Sequence, residues 1–328
     1  MFDVTAAGTW THLHTVAAGE NPSYLLIDEF RQALHCVHGD GSALSTFRIE
    51  TSGELAPLGS RPTQGTNPVH LALSASRRWL LVANYASGNL VSLPVNDDGS
   101  LGNAAHVLAL PNRPGPHRTQ QRGAHPHQVL LDPSGHWLLV PDKGGDAVHT
   151  VAIDEHCGEL RLVSTFSTAP MSGPRHMAFS ADGSRAWLVL ELSSQVLAVR
   201  FDATSGSLRA VQRTSSVPDW FTGENTGAGI ALSPDESFLY VTNRGHGSAV
   251  RFDIDRERGT LSSPAWTNVQ GEVPRFITIL PECDSVVVAN EDADSIVHVD
   301  AGNLKATQLA TTGSPVCIAF TSHPKGTP

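Results

Sequence analysis

The sequence lacks any excess of positive charge. Its 22 lysines and arginines are outnumbered by 32 aspartates and glutamates, which gives a formal net charge of −10. Nucleic acids and anionic membrane surfaces bind to basic faces, so neither is expected as a partner. There is no apolar stretch of the roughly 18 residues that a membrane span needs, and the N-terminus MFDVTAAGTWTHLHTV has no basic or apolar leader segment. We therefore expect a soluble, cytoplasmic protein.

Cysteine is also scarce, and several familiar catalytic signatures are missing. The four cysteines, Cys36, Cys157, Cys283 and Cys317, form no C-x-x-C pair. Three lie in or beside apolar runs, which predicts buried free thiols rather than disulfides or metal ligands. The chain has no G-x-S-x-G elbow, no P-loop, no H-E-x-x-H and no dinucleotide fingerprint. No metal and no cofactor are expected.

What the sequence does contain is an internal repeat. A proline or small residue, an apolar run, a turn and a second apolar run recur every 41 to 58 residues. Full copies begin near residues 21, 67, 125, 173, 227 and 273, and a fragment, SPVCIAFTSHP, begins at Ser314. Runs of Val, Ile, Leu, Phe and Trp broken by Asp, Pro and Gly turns are typical of short strands rather than helices. Four strands at this period make one blade of a β-propeller.

Six copies and a fragment predict an all-β, seven-bladed propeller with four-stranded antiparallel blades. The chain, residues 1–328, is expected to form a single domain. Residues 1–20 and 314–328 would share the closing blade, which would remove two exposed sheet edges. The two ends supply fewer than four strands between them, which predicts either a thin closing blade or a truncated start at Met1.

Charged side chains recur where the first strand of a copy begins and the second one ends. These two points lie side by side in a hairpin, which predicts that Arg175 is the cross-strand neighbour of Glu191 and His127 that of Asp142. Arg244 ends the second strand of the next copy. These residues would line one rim of the channel, beneath the insert PNRPGPHRTQQRGA that begins at Pro111.

Arginine suits the bidentate binding of carboxylate or phosphate, and an imidazole or carboxylate suits general base catalysis. We therefore take His127, Arg175, Glu191 and Arg244 as candidate catalytic residues. His125, Asp142 and His246 are candidate substrate-binding residues on the same rim, where His176 is a weaker candidate. The structural alternatives are an ordinary cross-strand ion pair, a turn histidine bonded to backbone, and an arginine that binds carbonyl groups between blades.

Several motifs together resemble a known family. NPSYLLID, GTNPVHLAL, HPHQVLLDPSG, LLVPDKGGD, GPRHMAFSADG and LYVTNRGHGS are similar to segments of the bacterial lactonase family of seven-bladed propellers. That family includes 6-phosphogluconolactonase and is similar to the fungal 3-carboxy-cis,cis-muconate lactonizing enzymes. The resemblance spans about Asn21 to Phe320, and the residues that match the family's active-site positions are those of the candidate catalytic set.

The resemblance also exposes departures. Lys143 stands where the family commonly has leucine, the usual opening strand is absent, and Gln121 is the best match to a family glutamine in the insert. The resemblance implies hydrolysis of a sugar-acid lactone, 6-phosphoglucono-1,5-lactone first of all. Water would attack the carbonyl with Glu191 or His127 as base. One arginine, Arg175 by preference, would stabilise the oxyanion while the other held an anionic group.

Two rival functions stay open at this point. The first is cyclisation of a carboxymuconate, for which the same four residues could serve. The second is a propeller that acts only as a binding platform, because a fold alone does not fix function. The expected partner is a small anionic sugar lactone, and the expected state is a monomer or a weak homo-oligomer.

Overall fold

Short strands account for all the regular structure in the described part of the chain. The computed structural model describes residues 1–4, 10–281 and 285–321. The strands are β1 (Phe2–Asp3), β2 (Thr11–His12), β3 (Pro22–Asp28), β4 (Ala33–His38), β5 (Ala43–Ile49), β6 (Leu55–Pro62), β7 (Pro68–Leu73), β8 (Trp79–Asn84), β9 (Asn89–Pro94), β10 (His106–Ala109), β11 (Leu130–Leu131), β12 (Trp137–Asp142), β13 (Ala147–Ile153), β14 (Leu160–Ser167), β15 (Pro174–Phe179), β16 (Arg185–Leu190), β17 (Gln195–Asp202), β18 (Ser207–Ser215), β19 (Gly227–Leu232), β20 (Phe238–Asn243), β21 (Ser248–Ile254), β22 (Leu261–Asn268), β23 (Pro274–Ile279), β24 (Val286–Asn290), β25 (Ser295–Val299) and β26 (Ala306–Thr311).

These strands form six four-stranded antiparallel blades, in each of which consecutive strands are neighbours. Blade 1 holds β3–β6, blade 2 β7–β10, blade 3 β11–β14, blade 4 β15–β18, blade 5 β19–β22 and blade 6 β23–β26. The predicted propeller with four-stranded antiparallel blades is confirmed for these six copies.

The second strand of each blade carries the core. Every residue of β8 and of β4 is buried, because this strand packs against the blades on both sides. In blade 3 an aspartate fixes the turn before the second strand. Asp132 accepts hydrogen bonds from the amides of Ser134 (3.0 Å) and Trp137 (2.7 Å), and Gly135 takes a positive φ of 77° that most residues avoid. The D-P-S-G signal therefore ends one strand and starts the next.

Tryptophans tie three blades to their neighbours. Each stands in the second strand and donates its indole N–H to a carbonyl in the turn between the third and fourth strands of the following blade. The pairs are Trp79–Glu155 at 3.1 Å, Trp137–Ala203 at 2.7 Å and Trp187–Gly259 at 2.9 Å. The blades are therefore joined by directed hydrogen bonds as well as by apolar contact.

The predicted closing blade is not confirmed. At the N-terminus the structure has the two-stranded ribbon β1–β2, and residues 314–321 contain no strand. Both ends still lie between blades 6 and 1. The amide of Trp10 donates to the carbonyl of Leu309 at 3.2 Å, and Cys317 Sγ lies 3.4 Å from the amide of Leu25. The remaining parts of the predicted blade, residues 5–9 and 322–328, fall outside the described residues.

The cysteine prediction is partly wrong. Cys36 is buried and Cys317 half-buried, and both are free. Cys157 is free but exposed, because it lies in a surface turn where Asp154 accepts the amide of Cys157 at 3.4 Å. Cys283 lies outside the described residues. In the part of the chain that is described, no helix has the length and apolarity that a membrane span requires.

Candidate active site at the channel mouth

One backbone hydrogen bond recurs in all six blades and defines a ring of equivalent positions. The residue just after the second strand donates its amide to the carbonyl of the residue just before the first strand. These donor–acceptor pairs are Gly39–Asn21, Tyr85–Asn67, Lys143–His125, Glu191–Gly173, Arg244–Thr226 and Glu291–Val273. We call the six donors the rim positions. From blade 3 to blade 6 they read Lys, Glu, Arg, Glu, so charges of opposite sign alternate around the mouth of the channel.

The first strand of blade 4 begins with a bulge that presents two functional side chains. Its register with β16 shifts between Pro174 and Met177, so Arg175 and His176 lie in the irregular segment. Bulges commonly re-aim side chains next to active sites. Arg175 Nε lies 3.0 Å from Glu191 Oε2, which confirms that these two residues are neighbours across the hairpin.

The Glu191 carboxylate is surrounded by three cations. Its Oε1 lies 2.6 Å from Lys143 Nζ and 2.9 Å from a terminal nitrogen of Arg244, in addition to the Arg175 contact. Burial alone would raise the pKa of Glu191, but Arg244, Lys143 and Arg175 together outweigh it and lower that pKa to about 2. Glu191 is therefore ionised throughout the neutral range. Burial lowers the pKa of Arg175 to about 9, which still leaves it a cation at neutral pH.

Lys143 belongs to the site, although the sequence analysis named it only as a departure from the family. It occupies the rim position of blade 3, one blade before Glu191. Its Nζ also donates to Gln120 Oε1 at 2.8 Å and lies 5.7 Å from the centre of the Tyr85 ring. The sequence separation between His125 and Lys143 equals that between Gly173 and Glu191. This equal spacing is the signal in the sequence that points to Lys143 as the counterpart of Glu191.

Beneath the rim, aromatic rings from different blades meet across the channel. The His176 ring lies 5.1 Å from that of His127 and 5.6 Å from that of His70, which in turn lies 4.0 Å from Tyr24. His70 and His176 belong to blades 2 and 4, so their contact lies near the axis. Burial, and then Arg175, lower the pKa values of all three histidines, for His70 to about 3. These imidazoles are neutral at pH 7, and we call them the histidine floor.

Asp142 and His127 do not form the expected side-chain pair. Because side chains alternate along a strand, Asp142 points into blade 3, where its carboxylate accepts amides including that of His125 at 2.6 Å. It also lies 3.3 Å from His149 Nε2. Its oxygens are therefore engaged within the blade, and its contact with substrate stays a prediction. His127 instead contacts β12 through its backbone amide, which donates to the carbonyl of Pro141.

The other predicted binding residues occupy supporting places. Gln121 is buried and donates to the Lys143 carbonyl at 2.9 Å, so it positions the rim backbone. His125 stacks on Tyr85 with ring centres 4.6 Å apart. His246 lies 4.8 Å from the ring of Phe221 and so at the edge of the mouth. Among the described residues, no group of three or more His, Cys, Asp or Glu side chains is arranged to hold a metal ion.

Buried polar atoms without an aligned hydrogen-bond partner gather at this place. Within the described chain they include Arg244 Nε and one ring nitrogen of each floor histidine, namely His70 Nδ1, His127 Nδ1 and His176 Nε2. Buried polar groups are nearly always satisfied in folded proteins, so atoms such as these are available to a ligand. The mouth of the channel therefore combines an ionised carboxylate, three cations and neutral imidazoles with donors and acceptors left over.

Comparison with known proteins identifies the family. A family model described as "Lactonase, 7-bladed beta-propeller" matches residues 1–320. The chain belongs to this lactonase family. It is 31% identical to the 6-phosphogluconolactonase of Bacillus subtilis over 308 residues, which cover 92% of the chain and 87% of that protein.

Solved structures extend the comparison. A Pseudomonas aeruginosa structure described as the periplasmic gluconolactonase PpgL is 31% identical, with a TM-score of 0.90 over 98% of the chain and 94% of that structure. A putative 6-phosphogluconolactonase from Bacteroides fragilis is 29% identical, with a TM-score of 0.83 over 92% and 87%. The lactonase family is described as seven-bladed, one blade more than the six four-stranded ones among the residues described.

Proposed function

We propose that the protein hydrolyses a sugar-acid lactone at the channel mouth, with 6-phosphoglucono-1,5-lactone as the first candidate. The observation that carries the proposal is the buried carboxylate of Glu191 bound by Lys143, Arg175 and Arg244, beside a neutral imidazole at His127. Membership of the lactonase family supports the reaction class. The names of the Bacillus and Pseudomonas proteins support a gluconolactone skeleton.

The chemistry requires a nucleophilic water and an acceptor for its proton. We assign the role of proton acceptor to His127, whose buried imidazole is neutral and has an Nδ1 without a hydrogen-bond partner. Water adds to the lactone carbonyl carbon, the carbon–oxygen bond of the ring breaks, and His127 returns the proton to the departing ring oxygen. A base works best when it is unprotonated at the working pH and within reach of its proton.

The arginines then stabilise the charge that develops on the carbonyl oxygen. Arg175 and Arg244 contact Glu191 from blades 4 and 5, through Nε of Arg175 and a terminal nitrogen of Arg244, and the Nε of Arg244 is buried without an aligned hydrogen-bond partner. Cations fixed in a site of low polarity stabilise an oxyanion without having to reorganise during the reaction. Both oxygens of Glu191 are engaged by cations, so Glu191 serves to hold the three cations in place.

The decisive experiment is a coupled stopped-flow assay on freshly prepared 6-phosphoglucono-1,5-lactone and on glucono-1,5-lactone, with spontaneous hydrolysis subtracted. We expect turnover by the wild type and losses of at least about a hundredfold in Glu191→Gln and Arg244→Ala, because a catalytic charge contributes roughly 3 kcal/mol. Arg256→Gln is the matched control. Arg256 is an exposed arginine in a single ion pair with Asp235 at 3.2 Å, in the turn region of blade 5.

The His127→Gln variant separates the two candidate bases, and a pH profile checks their ionisation. On the uncharged lactone, kcat/KM of the wild type should be flat over the neutral and mildly acidic range, because both groups lose their protons well below neutrality. His127→Gln should lose the general-base contribution of about 10² to 10⁴. Full activity in His127→Gln would assign the proton to another group, and the absence of wild-type turnover on either lactone would refute the proposed function.

A further inference from the structure

Blade 6 repeats the ion pair of blade 4. Arg275 and Glu291 occupy the places of Arg175 and Glu191, because the amide of Glu291 donates to the Val273 carbonyl as the amide of Glu191 does to Gly173. Arg275 lies 3.2 Å from a carboxylate oxygen of Glu291. The register of β23 with β24 also shifts between Pro274 and Phe276, so Arg275 starts its strand in the same kind of bulge as Arg175.

The two pairs differ in depth. The side chains of Arg175 and Glu191 are 3% and 5% exposed, whereas those of Arg275 and Glu291 are 33% and 26% exposed. Arg244, between them, is 18% exposed. The exposure of these arginines therefore decreases from Arg275 in blade 6 through Arg244 to Arg175 in blade 4. We call the exposed part of the mouth at Arg275 the lip. Of the three arginines, Arg275 is the most open to an incoming group.

Arg275 acts on the same site as the deeper cations. Its charge is among those that depress the pKa of His127 and that of Arg175, so it lies within electrostatic reach of both. The mouth holds four cations, Lys143, Arg175, Arg244 and Arg275, against the two carboxylates of Glu191 and Glu291. These six groups carry a surplus of two positive charges, equal in size and opposite in sign to the charge of a phosphate monoester that has lost both protons.

We propose that Arg275 is a specificity-determining residue that binds a terminal phosphate of the substrate at the lip, while the lactone ring lies deeper against Arg175 and His127. This inference rests on the proposed function and adds the recognition of phosphate to it. Among the described residues, Arg275 donates to one carboxylate, that of Glu291 at 3.2 Å, and its guanidinium carries further donors suited to a bidentate contact with phosphate oxygens. Glu291 holds the guanidinium in position and offsets part of its charge.

The test compares a phosphorylated and an unphosphorylated lactone in paired variants. Arg275→Gln should lower kcat/KM for 6-phosphoglucono-1,5-lactone by at least about tenfold and change that for glucono-1,5-lactone by less than about twofold, because a charge-assisted contact contributes about 1.5 to 3 kcal/mol. Glu291→Gln should act in the opposite direction and raise kcat/KM for the phosphorylated lactone severalfold. Arg275→Lys should recover part of the loss, and Arg256→Gln should alter neither lactone.

Binding of the products, 6-phosphogluconate and gluconate, measured by calorimetry keeps the inference testable if neither lactone turns over. In that case the proposed function fails, while a loss of affinity confined to 6-phosphogluconate in Arg275→Gln still supports the phosphate contact. Equal losses on both ligands would make Arg275 a structural residue, and no loss on either would also overturn the inference. Thermal unfolding of each variant identifies a folding defect.

Discussion

In the hairpins formed by the first two strands of a blade, carboxylates at the turn and carboxylates at the channel mouth are kept ionised by different means. At the turn end, Asp182 and Asp235 are exposed, and hydrogen bonds from Ser180 and Ser237, respectively, are the first cause that lowers their pKa values to about 2. At the mouth, Glu191 is buried, and burial raises its pKa before three cations bring it to about 2 as well. The same low pKa therefore has two origins. At the turns it arises from local hydrogen bonds, and at Glu191 it arises from cations on three blades.

This difference indicates where a ligand can act. Asp182 is bonded to Ser180 and Ser184, two residues away on either side, so its charge depends on little beyond its own turn. Glu191 depends on blades 3, 4 and 5 at once, and any anion that enters the mouth competes for the same cations. The turn end stabilises the fold, whereas the mouth is responsive to ligands. Four predictions test this contrast.

The largest effect on stability is expected for Glu191→Gln. The substitution leaves the cations of Lys143, Arg175 and Arg244 buried without their carboxylate, which should lower the free energy of unfolding by about 3–5 kcal/mol. Urea denaturation measures the loss. Inorganic phosphate should restore more stability to this variant than to the wild type, because the added anion replaces the missing charge. If Glu191→Gln were as stable as the wild type without any added anion, the three cations would not depend on Glu191.

The histidine floor should make the protein sensitive to acid. The pKa of His70 is lowered from 6.5 to about 3, mainly by burial, so below pH 6.5 the unfolded chain binds a proton that the folded chain does not. As the pH is lowered from 6.5 to about 3, the free energy of unfolding should therefore decrease. The decrease should be roughly 1.4 kcal/mol per pH unit for each such histidine. His70→Phe, which preserves the contact with Tyr24, should reduce that slope by one histidine's share. An unchanged slope in denaturation curves at several pH values would remove His70 from the explanation.

Lys143→Leu should shift a titration more than it destroys activity. One of the three cations on Glu191 is removed, so the pKa of Glu191 should rise from about 2 by roughly one unit. The acid limb of kcat/KM on glucono-1,5-lactone should move to higher pH accordingly, while activity at neutral pH is retained. Gln120→Ala serves as the control, because it removes the other partner of Lys143 and leaves the charge in place. An acid limb identical to that of the wild type would show that Lys143 does not act through Glu191.

The smallest effect is expected at the turn end. Asp182→Asn keeps an oxygen acceptor for the Ser184 amide at 3.0 Å and removes a charge whose side chain is 56% exposed. The free energy of unfolding should fall by less than about 1 kcal/mol, and kcat/KM should not change. Thermal unfolding and the lactone assay measure the two. A large loss of activity would mean that the two ends of the hairpin are coupled, against the contrast drawn above.

The sequence predicts the blades well because each copy carries its own local signals. Aspartate turns such as Asp132 to Gly135 and largely apolar second strands define hairpins from within a single copy. The closing blade was not predictable in the same way, since it depends on two distant ends. Strand pairing between them has no turn to set its register.

Of the two cross-strand pairs predicted at the site, one was found in the structure, and Lys143 was not predicted as part of the site. Hairpin geometry correctly joined Arg175 to Glu191, yet it paired His127 with Asp142, one residue short of Lys143. Side chains alternate across a strand, so an error of one residue exchanges a rim side chain for one that points into the blade. Contacts between blades, such as that of Arg244 with Glu191, depend on how neighbouring sheets pack, and no signal within a single copy specifies them.

The histidine floor also determines how the product leaves. Its imidazoles, from blades 2, 3 and 4, contact one another with ring centres 5.1 and 5.6 Å apart, and we expect them to block passage through the channel beneath the reacting centre. Substrate and product must then share one opening, and an acid formed from a lactone carries one more negative charge past the same arginines on its way out. We expect the product to be a competitive inhibitor whose affinity falls with rising salt, which would make its release the slow step at low ionic strength.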